Sequence, residues 1–547
     1  MVVPQADINA TLTEDVHLSE SPLAANWSLP VDLVAIRARA DWRNGLWWPC
    51  DYRAIRKTQE GLFDCSLGFV RSIDDPSHRR VAAVAAPRLD NIMRRLGWIG
   101  MHVDAAAATG AVLGASCPLL DAMQAADDAP AEQLAGIYAI TAQAGVGYAT
   151  TKQAIRRLWW ARSPARALGA LIAPATTAIS HNALLRASAA GSRAPVGFRY
   201  AEEILSGAQA AAPRECYVDT DELAWKLKTS FLGYYQTDHP IWRRMGRFVG
   251  SFARLFLRNV SADLASLSRL RSFPMNVWTG SVGNYAVRAM AAELQRREGH
   301  MTWFDHGGSI SMIDEDRSLS LNEMIAQDAC VMPTEPAAIM MRERTPTLLL
   351  RPGRTPEISA RFADPTFVRA ARSPRRPPGR KPTVTYITTI YGGTRQHYPP
   401  LLPDPVYLDL QHRVVECLSK LPIDLRLRPH PEIDLRSGIH PLTGHCTIDL
   451  RPFAEVLRDT DVFVFDYPQS TTFWEATCSD RRVVLIDLGI SRFNETARQV
   501  IARRCHVLTP EWNARNLPEF DAEALADAMC GAAPAADPAD MRRLLVA

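Results

Sequence analysis

The sequence predicts an α/β protein built from two doubly wound parallel sheets that face a cleft, with a large helical insertion in its N-terminal half. Three observations carry this. Strand-like segments alternate with amphipathic helical ones from Thr383 to Asp487, the same alternation runs from Asn276 to Met332, and a proline- and arginine-rich seam separates the two. Alternation at this pitch is what a parallel sheet covered on both faces requires.

The seam is RSPRRPPGRKP at Arg372–Pro382, whose four prolines and one glycine cannot sustain a helix or a central strand, and whose five basic residues keep it solvated. After it, Thr383–Thr388 reads as a strand and Gly392–Gly393 as a turn. Tyr407–Leu421 has apolar residues at three- and four-residue spacing and reads as a helix; Ile423–Leu427 alternates like a strand. Phe453–Arg458 is a short helix, Asp461–Phe465 a buried strand, Thr471–Thr477 the opening of a helix and Arg482–Asp487 the next strand. Ahead of the seam, Asn276–Thr279, His300–Phe304 and Ala329–Met332 read as strands and Gly283–Glu298 as a helix stopped by Gly299. Residues from about 90 to 270 read as almost wholly helical, Ala105–Leu120 among them as one buried Ala-rich helix. Residues 1–90 offer two strand candidates, Val31–Ile36 and Arg80–Ala85. The domains expected are 1–371, a linker at 372–382, 383–512, and a helical tail at 513–547.

The chain has 547 residues, 47% hydrophobic and 22% charged, with a mean hydropathy of −0.12. That composition excludes a disordered chain and an obligate membrane protein, and a net charge of +3 is too small to suggest nucleic acid as a partner. Only six of the 62 basic residues are lysine, which reads as coding bias. Ten scattered cysteines form no Cys-x-x-Cys pair and no histidine cluster has zinc spacing, so no structural zinc is expected. The first residues lack the basic and apolar stretches of a signal peptide, and Ala105–Leu120 is too short to span a membrane. The expected location is the cytoplasm, peripherally at the inner face of the cell membrane.

Ligands of open α/β sheets bind at the carboxyl ends of strands, and three such ends carry polar residues. Arg428-Pro429-His430-Pro431-Glu432 follows one strand; its prolines hold the backbone extended around His430, which reads either as a phosphate contact or as a turn histidine. Asp466-Tyr467-Pro468-Gln469-Ser470-Thr471-Thr472-Phe473-Trp474-Glu475 follows another. There the hydroxyls of Ser470, Thr471 and Thr472 flank the free N–H groups of a first helical turn, an anion site, and Glu475 reads as a ligand group or as part of a capping box. Asp305-His306-Gly307-Gly308-Ser309 follows a third; Asp305 and His306 are candidate bases, or Asp305 caps the turn, and Gly307 and Gly308 permit close backbone approach on the acceptor side.

Taken together, the order strand–DHGG, linker, strand–RPHPE, strand–DYPQSTTFWE resembles GT-B-fold glycosyltransferases of bacterial surface polysaccharides, in particular CMP-sugar-using capsule transferases and CDP-glycerol glycerophosphotransferases. The likeness covers roughly residues 382–510 and 275–335. It implies two Rossmann-like domains, a nucleotide-sugar donor of CMP, CDP or UDP type, and a glycan or lipid-linked acceptor. It also implies that His430, Arg428 and the Ser470–Thr471 helix N-terminus hold phosphate, that Glu475 reaches a ribose hydroxyl, and that Asp305 or His306 is the base. The sialyltransferase-like pattern has a second acid where His306 stands, and the glycerophosphotransferase-like one has Asp-Tyr-Ser-Ser without the two residues inserted here. No Asp-x-Asp motif occurs at a strand end, so a metal-independent, inverting reaction without a bound cofactor is expected. Rival readings are a nucleotide-sugar epimerase of the same fold and a non-catalytic capsule assembly or export partner.

Overall fold

The computed structural model describes residues 28–30, 42–109, 112–114, 118–125, 127–140, 175–211, 215–234, 240–313, 321–344, 348–374, 381–389, 391, 402–430, 440–530 and 536–546. The segments Val31–Ile36, Gly392–Gly393 and Pro431-Glu432 lie outside them.

Two short strands, β1 (Ser28–Pro30) and β2 (Val112–Gly114), pair in parallel. The first large sheet then uses β3 (Thr176–Ala178), β4 (Val196–Phe198), β5 (Asn276–Thr279), β6 (His300–Phe304), β7 (Ala329–Met332) and β8 (Glu357–Ala360), in the spatial order β4-β3-β5-β6-β7-β8. The second uses β9 (Thr383–Ile387), β10 (Asp424–Arg428), β11 (Thr447–Ile448), β12 (Val462–Phe465), β13 (Arg482–Ile486) and β14 (His506–Leu508), ordered β11-β10-β9-β12-β13-β14. Every ladder in both is parallel. The protein is thus an α/β chain with two all-parallel six-stranded sheets. Both faces of such a sheet must be covered, and the sequence obliges: every residue of β9 and β12 is buried.

Helices α1 (Tyr52–Arg71), α2 (Pro76–Thr109), α3 (Pro118–Gln124) and α4 (Ala129–Tyr138) precede the first sheet. Around its strands lie α5 (Ala183–Gly191), α6 (Ala201–Ala211), α7 (Asp221–Tyr234), α8 (Pro240–Ser268), α9 (Tyr285–Arg296), α10 (Glu335–Glu343) and α11 (Pro365–Ala371). The second sheet has α12 (Asp404–Leu418), α13 (Phe453–Asp459), α14 (Thr471–Cys478) and α15 (Glu495–Arg504), followed by α16 (Ala522–Cys530) and α17 (Ala539–Leu545). The helical region is held by α1 on α2 and α7 on α8. On α8, Phe248, Phe252 and Phe256 recur every fourth residue and stack with ring centroids 6.1 and 5.4 Å apart.

Three expectations are corrected here. Arg80–Ala85 is not a strand but lies inside α2, where Val81–Ala86 is buried throughout; an all-apolar short run has no period of its own, and burial inside a helical layer decides it. Ala105–Leu120 is not one helix: α2 stops at Thr109, β2 intervenes, and α3 starts at Pro118, a residue suited to a first turn. The stretch from 90 to 270, read as almost wholly helical, also holds β2, β3 and β4, the last two completing the first sheet.

The two halves are stitched at both ends of the chain. Arg43 pairs with Asp409 and Glu416 of α12, the Trp48 N–H donates to the Arg515 carbonyl while its carbonyl accepts from the Asn516 side-chain amide, and Tyr52 stacks on Trp512 at 5.1 Å. Helix α17 is fastened to both sides. Arg542 donates to the Cys478 carbonyl (2.7 Å), Asp480 (2.8 Å) and the Ala371 carbonyl (3.1 Å), while Thr334 Oγ1 donates to the Leu544 carbonyl at 2.5 Å.

Candidate functional site

In the second sheet the chain runs outward from β9 through β10 to β11, then returns to β12 on the other side of β9. Connections that leave in opposite directions open a crevice at the carboxyl ends of β9 and β12. A cavity of about 360 Å³ occupies it, walled by Thr388 and Thr389 after β9, Arg428 and His430 after β10, and Ser470, Thr471 and Thr472 after β12.

The third wall is a capped helix. Ser470 is the N-cap of α14, in extended conformation, and its Oγ accepts from the Phe473 N–H at 3.3 Å. The amides of Thr471 and Thr472 belong to the first turn, where no intrahelical acceptor exists, and the hydroxyls of Ser470 and Thr472 are 3.1 Å apart. The opposite end of α14 is clamped by cations. Buried Arg504 donates to the carbonyls of Ala476, Thr477, Ser479 and Arg481, and Arg542 to that of Cys478. Cations on the last carbonyls and donors at the first turn orient the helix dipole for an anion in the cavity. A capping box is not formed: the third helical residue is Phe473, and Glu475 lies beyond the reach that motif needs.

Reading the sequence did not reveal what holds the β9 wall. Asp466, at the end of β12, accepts from the Tyr386 hydroxyl (2.5 Å) and the Tyr407 hydroxyl (2.7 Å), and the Tyr407 oxygen in turn accepts from the Thr389 N–H at 2.7 Å. Three elements thus fix the cavity wall at Thr389. Burial raises the Asp466 carboxyl to about 6, against the lowering effect of the two tyrosine donors. The aspartate after a buried strand was the available signal; its partners, on β9 and α12, are not adjacent to it in sequence.

The DHGG turn comes from the other sheet to meet this helix. Gly307 has φ +88°, and a Cβ there would stand 2.8 Å from Thr471 Oγ1, so only glycine lets the turn lie against the first residue of α14. Gly308, at φ +76°, sits as tightly against Phe367 and Leu545. Asp305 is 2% exposed; it accepts from the Gly308 N–H, so it does cap the turn, yet its Oδ1 has no partner among the described residues. Burial first, with Asp364 and Glu323 adding to it, pushes its carboxyl up to about 7, opposed by His306. His306 is half-buried, and its Nδ1 likewise lacks a partner among the described residues. Asn182 donates to the carbonyls of Phe304 (2.8 Å) and Asp305 (3.0 Å), which locks the strand end in place.

The structure therefore brings the turn that carries Asp305 and His306 against the first residue of α14 through Gly307, while Arg428, His430, Ser470, Thr471 and Thr472 line one cavity and residues 305–308 are not among its lining. Glu475 is not among the cavity-lining residues. It is 6% exposed, its Oε2 is 3.9 Å from Arg369 Nη2, and burial raises it to about 7 while Arg369 and Arg428 lower it. Burial pulls the Arg428 guanidinium below its ordinary value, with Asp449 and Glu475 opposing. Among the described residues no group of three or more His, Cys, Asp or Glu could hold a metal ion, and no helix is long and apolar enough to cross a membrane. No family model, no curated protein and no solved structure matches the chain.

Proposed function

We propose that this protein is a glycosyltransferase that moves a sugar, or a polyol phosphate, from a nucleotide donor to a growing cell-surface glycan. The observation that supports the reading is the approach of Gly307 to Thr471, by which the turn bearing a buried carboxyl in one sheet meets the helix that walls a ligand-sized cavity in the other. The donor's phosphates lie on the first turn of α14, with His430 and Arg428 beside them. Asp305 takes the proton of the acceptor hydroxyl as its oxygen bonds to the anomeric carbon, and the bond from that carbon to the phosphate oxygen breaks toward the nucleotide. With a polyol-phosphate donor the acceptor oxygen attacks the phosphorus that bears the polyol, the bridging P–O bond to the other phosphate breaks, and the nucleoside monophosphate leaves. Charge gathers on the departing phosphate, where preorganised donors stabilise it most. The acceptor is a glycan or a lipid-linked glycan presented at the inner face of the membrane.

A thermal-shift panel of CMP, CDP, UDP and GDP tests the donor site. A nucleotide that binds only the folded chain adds about 2.7 kcal/mol of stability at a hundredfold excess over Kd; no response to any of the four would overturn the reading. In the same assay His430→Ala is expected to weaken the responding nucleotide roughly ten- to hundredfold, since a hydrogen bond to a charged group contributes about 1.5–3 kcal/mol. The unliganded melting temperature should not move; a histidine that only shapes the turn gives the opposite pair of results.

Glu475→Gln keeps size and hydrogen-bonding capacity. Donor KM is expected to rise while kcat stays within about twofold. An unchanged KM would leave Glu475 as a buried partner of Arg369 alone.

A further inference from the structure

The first sheet has its own crevice. From β3 the chain runs outward to β4 and returns to β5 on the other side, so the carboxyl ends of β3 and β5 bound a second switch point. Its floor is tied together: Ser180 Oγ meets Thr279 Oγ1 at 2.8 Å and accepts from the Gly280 N–H at 2.8 Å, while Asn182 joins this place to the Asp305 carbonyl. On its rim stand three rings that the reaction above does not use. Phe198 and Tyr200 meet edge-to-face with centroids 4.7 Å apart, and His181 meets them at 6.0 and 6.3 Å. His181 is exposed and the other two are half-buried. Beside them, at the surface where α6 packs on α9, the Glu202 carboxylate accepts at 2.6 Å from the side-chain N–H of Asn284, the N-cap of α9.

We propose that His181, Phe198 and Tyr200, with the Glu202–Asn284 pair, form a carbohydrate subsite that holds a sugar ring of the acceptor remote from the reacting hydroxyl. The chemistry matches on two counts. A pyranose offers apolar C–H faces that lie flat on aromatic rings, and equatorial hydroxyls that a planar carboxylate and a planar amide take together. Phe198 rests on the buried cluster of Ala178, Leu184 and Val196, while His181 stays exposed and Tyr200 half-buried next to a surface acid–amide couple at a strand's carboxyl end. The position is also suited to a long acceptor: β3 and β4 lie two and three strands from β6, so the rings stand about 10–14 Å along the rim from Asp305. That is too far for the sugar that reacts and suits one further back in an oligosaccharide. The inference rests on the acceptor being a glycan, as proposed above.

The test uses the full chain on an immobilised panel of oligosaccharides cut from bacterial capsules and lipopolysaccharides, with the matching monosaccharides beside them, and the nucleotide shifts measured on the same preparations. The wild type is expected to retain oligosaccharides and not monosaccharides. Tyr200→Ala and Glu202→Gln should each weaken retention about tenfold, Tyr200→Phe should keep it, and all should show the wild-type nucleotide shift. Retention unchanged in Tyr200→Ala and Glu202→Gln would overturn the subsite, as would a wild type that retains no glycan while responding to a nucleotide. A wild type that retains glycans through Tyr200 but responds to no nucleotide would overturn the donor reading and leave the subsite standing.

Discussion

Asp305→Asn is expected to lower kcat by about 10²–10⁴-fold with nucleotide affinity unchanged, the usual cost of removing a general base. His306→Asn should cost far less. Burial holds the Asp305 carboxyl at about 7, so the competent, ionised form prevails above that pH, and kcat should climb through it and then level. The same shift has a stability signature. A carboxyl whose folded value lies above its ordinary 3.8 keeps its proton in the folded chain up to about 7, so its contribution is fullest below 3.8 and is lost as pH rises to 7. Asparagine cannot ionise and removes that loss. Above pH 7 the inactive variant should therefore melt higher than the wild type, and below 3.8 the two should coincide. A residue serving only as a turn cap would lose melting temperature at every pH and leave kcat nearly intact. If His306→Asn is the damaging change and Asp305→Asn the mild one, the imidazole is the base and the donor is of the polyol-phosphate kind.

Arg504→Met is expected to destabilise the chain by about 3–5 kcal/mol, the largest stability effect foreseen here. The guanidinium is 2% exposed and serves four carbonyls at and just beyond the end of α14, its Nε to Thr477 at 2.8 Å and its Nη2 to Arg481 at 2.6 Å. Methionine fills the space but returns none of those bonds, and each dry carbonyl costs about 1–3 kcal/mol before relaxation. Lysine should recover only part, having a point charge where arginine has a fork. Urea denaturation read from the midpoint decides it, and a change below about 1 kcal/mol would show that water takes over the carbonyls. Because α14 carries the cavity's hydroxyls on its other end, the variant should also bind nucleotide more weakly in its folded fraction.

Sequence pattern reached some of these features and was blind to others for physical reasons. β5, β6 and β7 were read to the residue because each is a short apolar run bounded by a breaker or a polar turn. β3 and β4 are three residues long amid helical surroundings, and three residues have no periodicity to detect. The Ser470 cap was legible, since capping is a local transaction. Tyr407 was not: on a helix face it looks like any core aromatic, and only the fold turns its hydroxyl to Asp466. In a chain so rich in arginine, nothing local marks Arg504 as the one that closes a helix. The approach of Gly307 to Thr471 belongs wholly to the tertiary structure.

Helix α17 bears on how the two sheets can part. It is pinned to Thr334 on one side and to Cys478 and Asp480 on the other, and Leu545 presses on Gly308. Separation that keeps these bonds pivots about that edge, like a book about its spine, and has to release the second seam that Arg43, Trp48 and Tyr52 make with the other half. Displacement then grows with the lever arm: smallest at Asp305–Gly308 and greatest at β4, the far margin of the first sheet. A polymer would enter sideways from that margin, passing Tyr200 before its end reaches the carboxyl beside the spine.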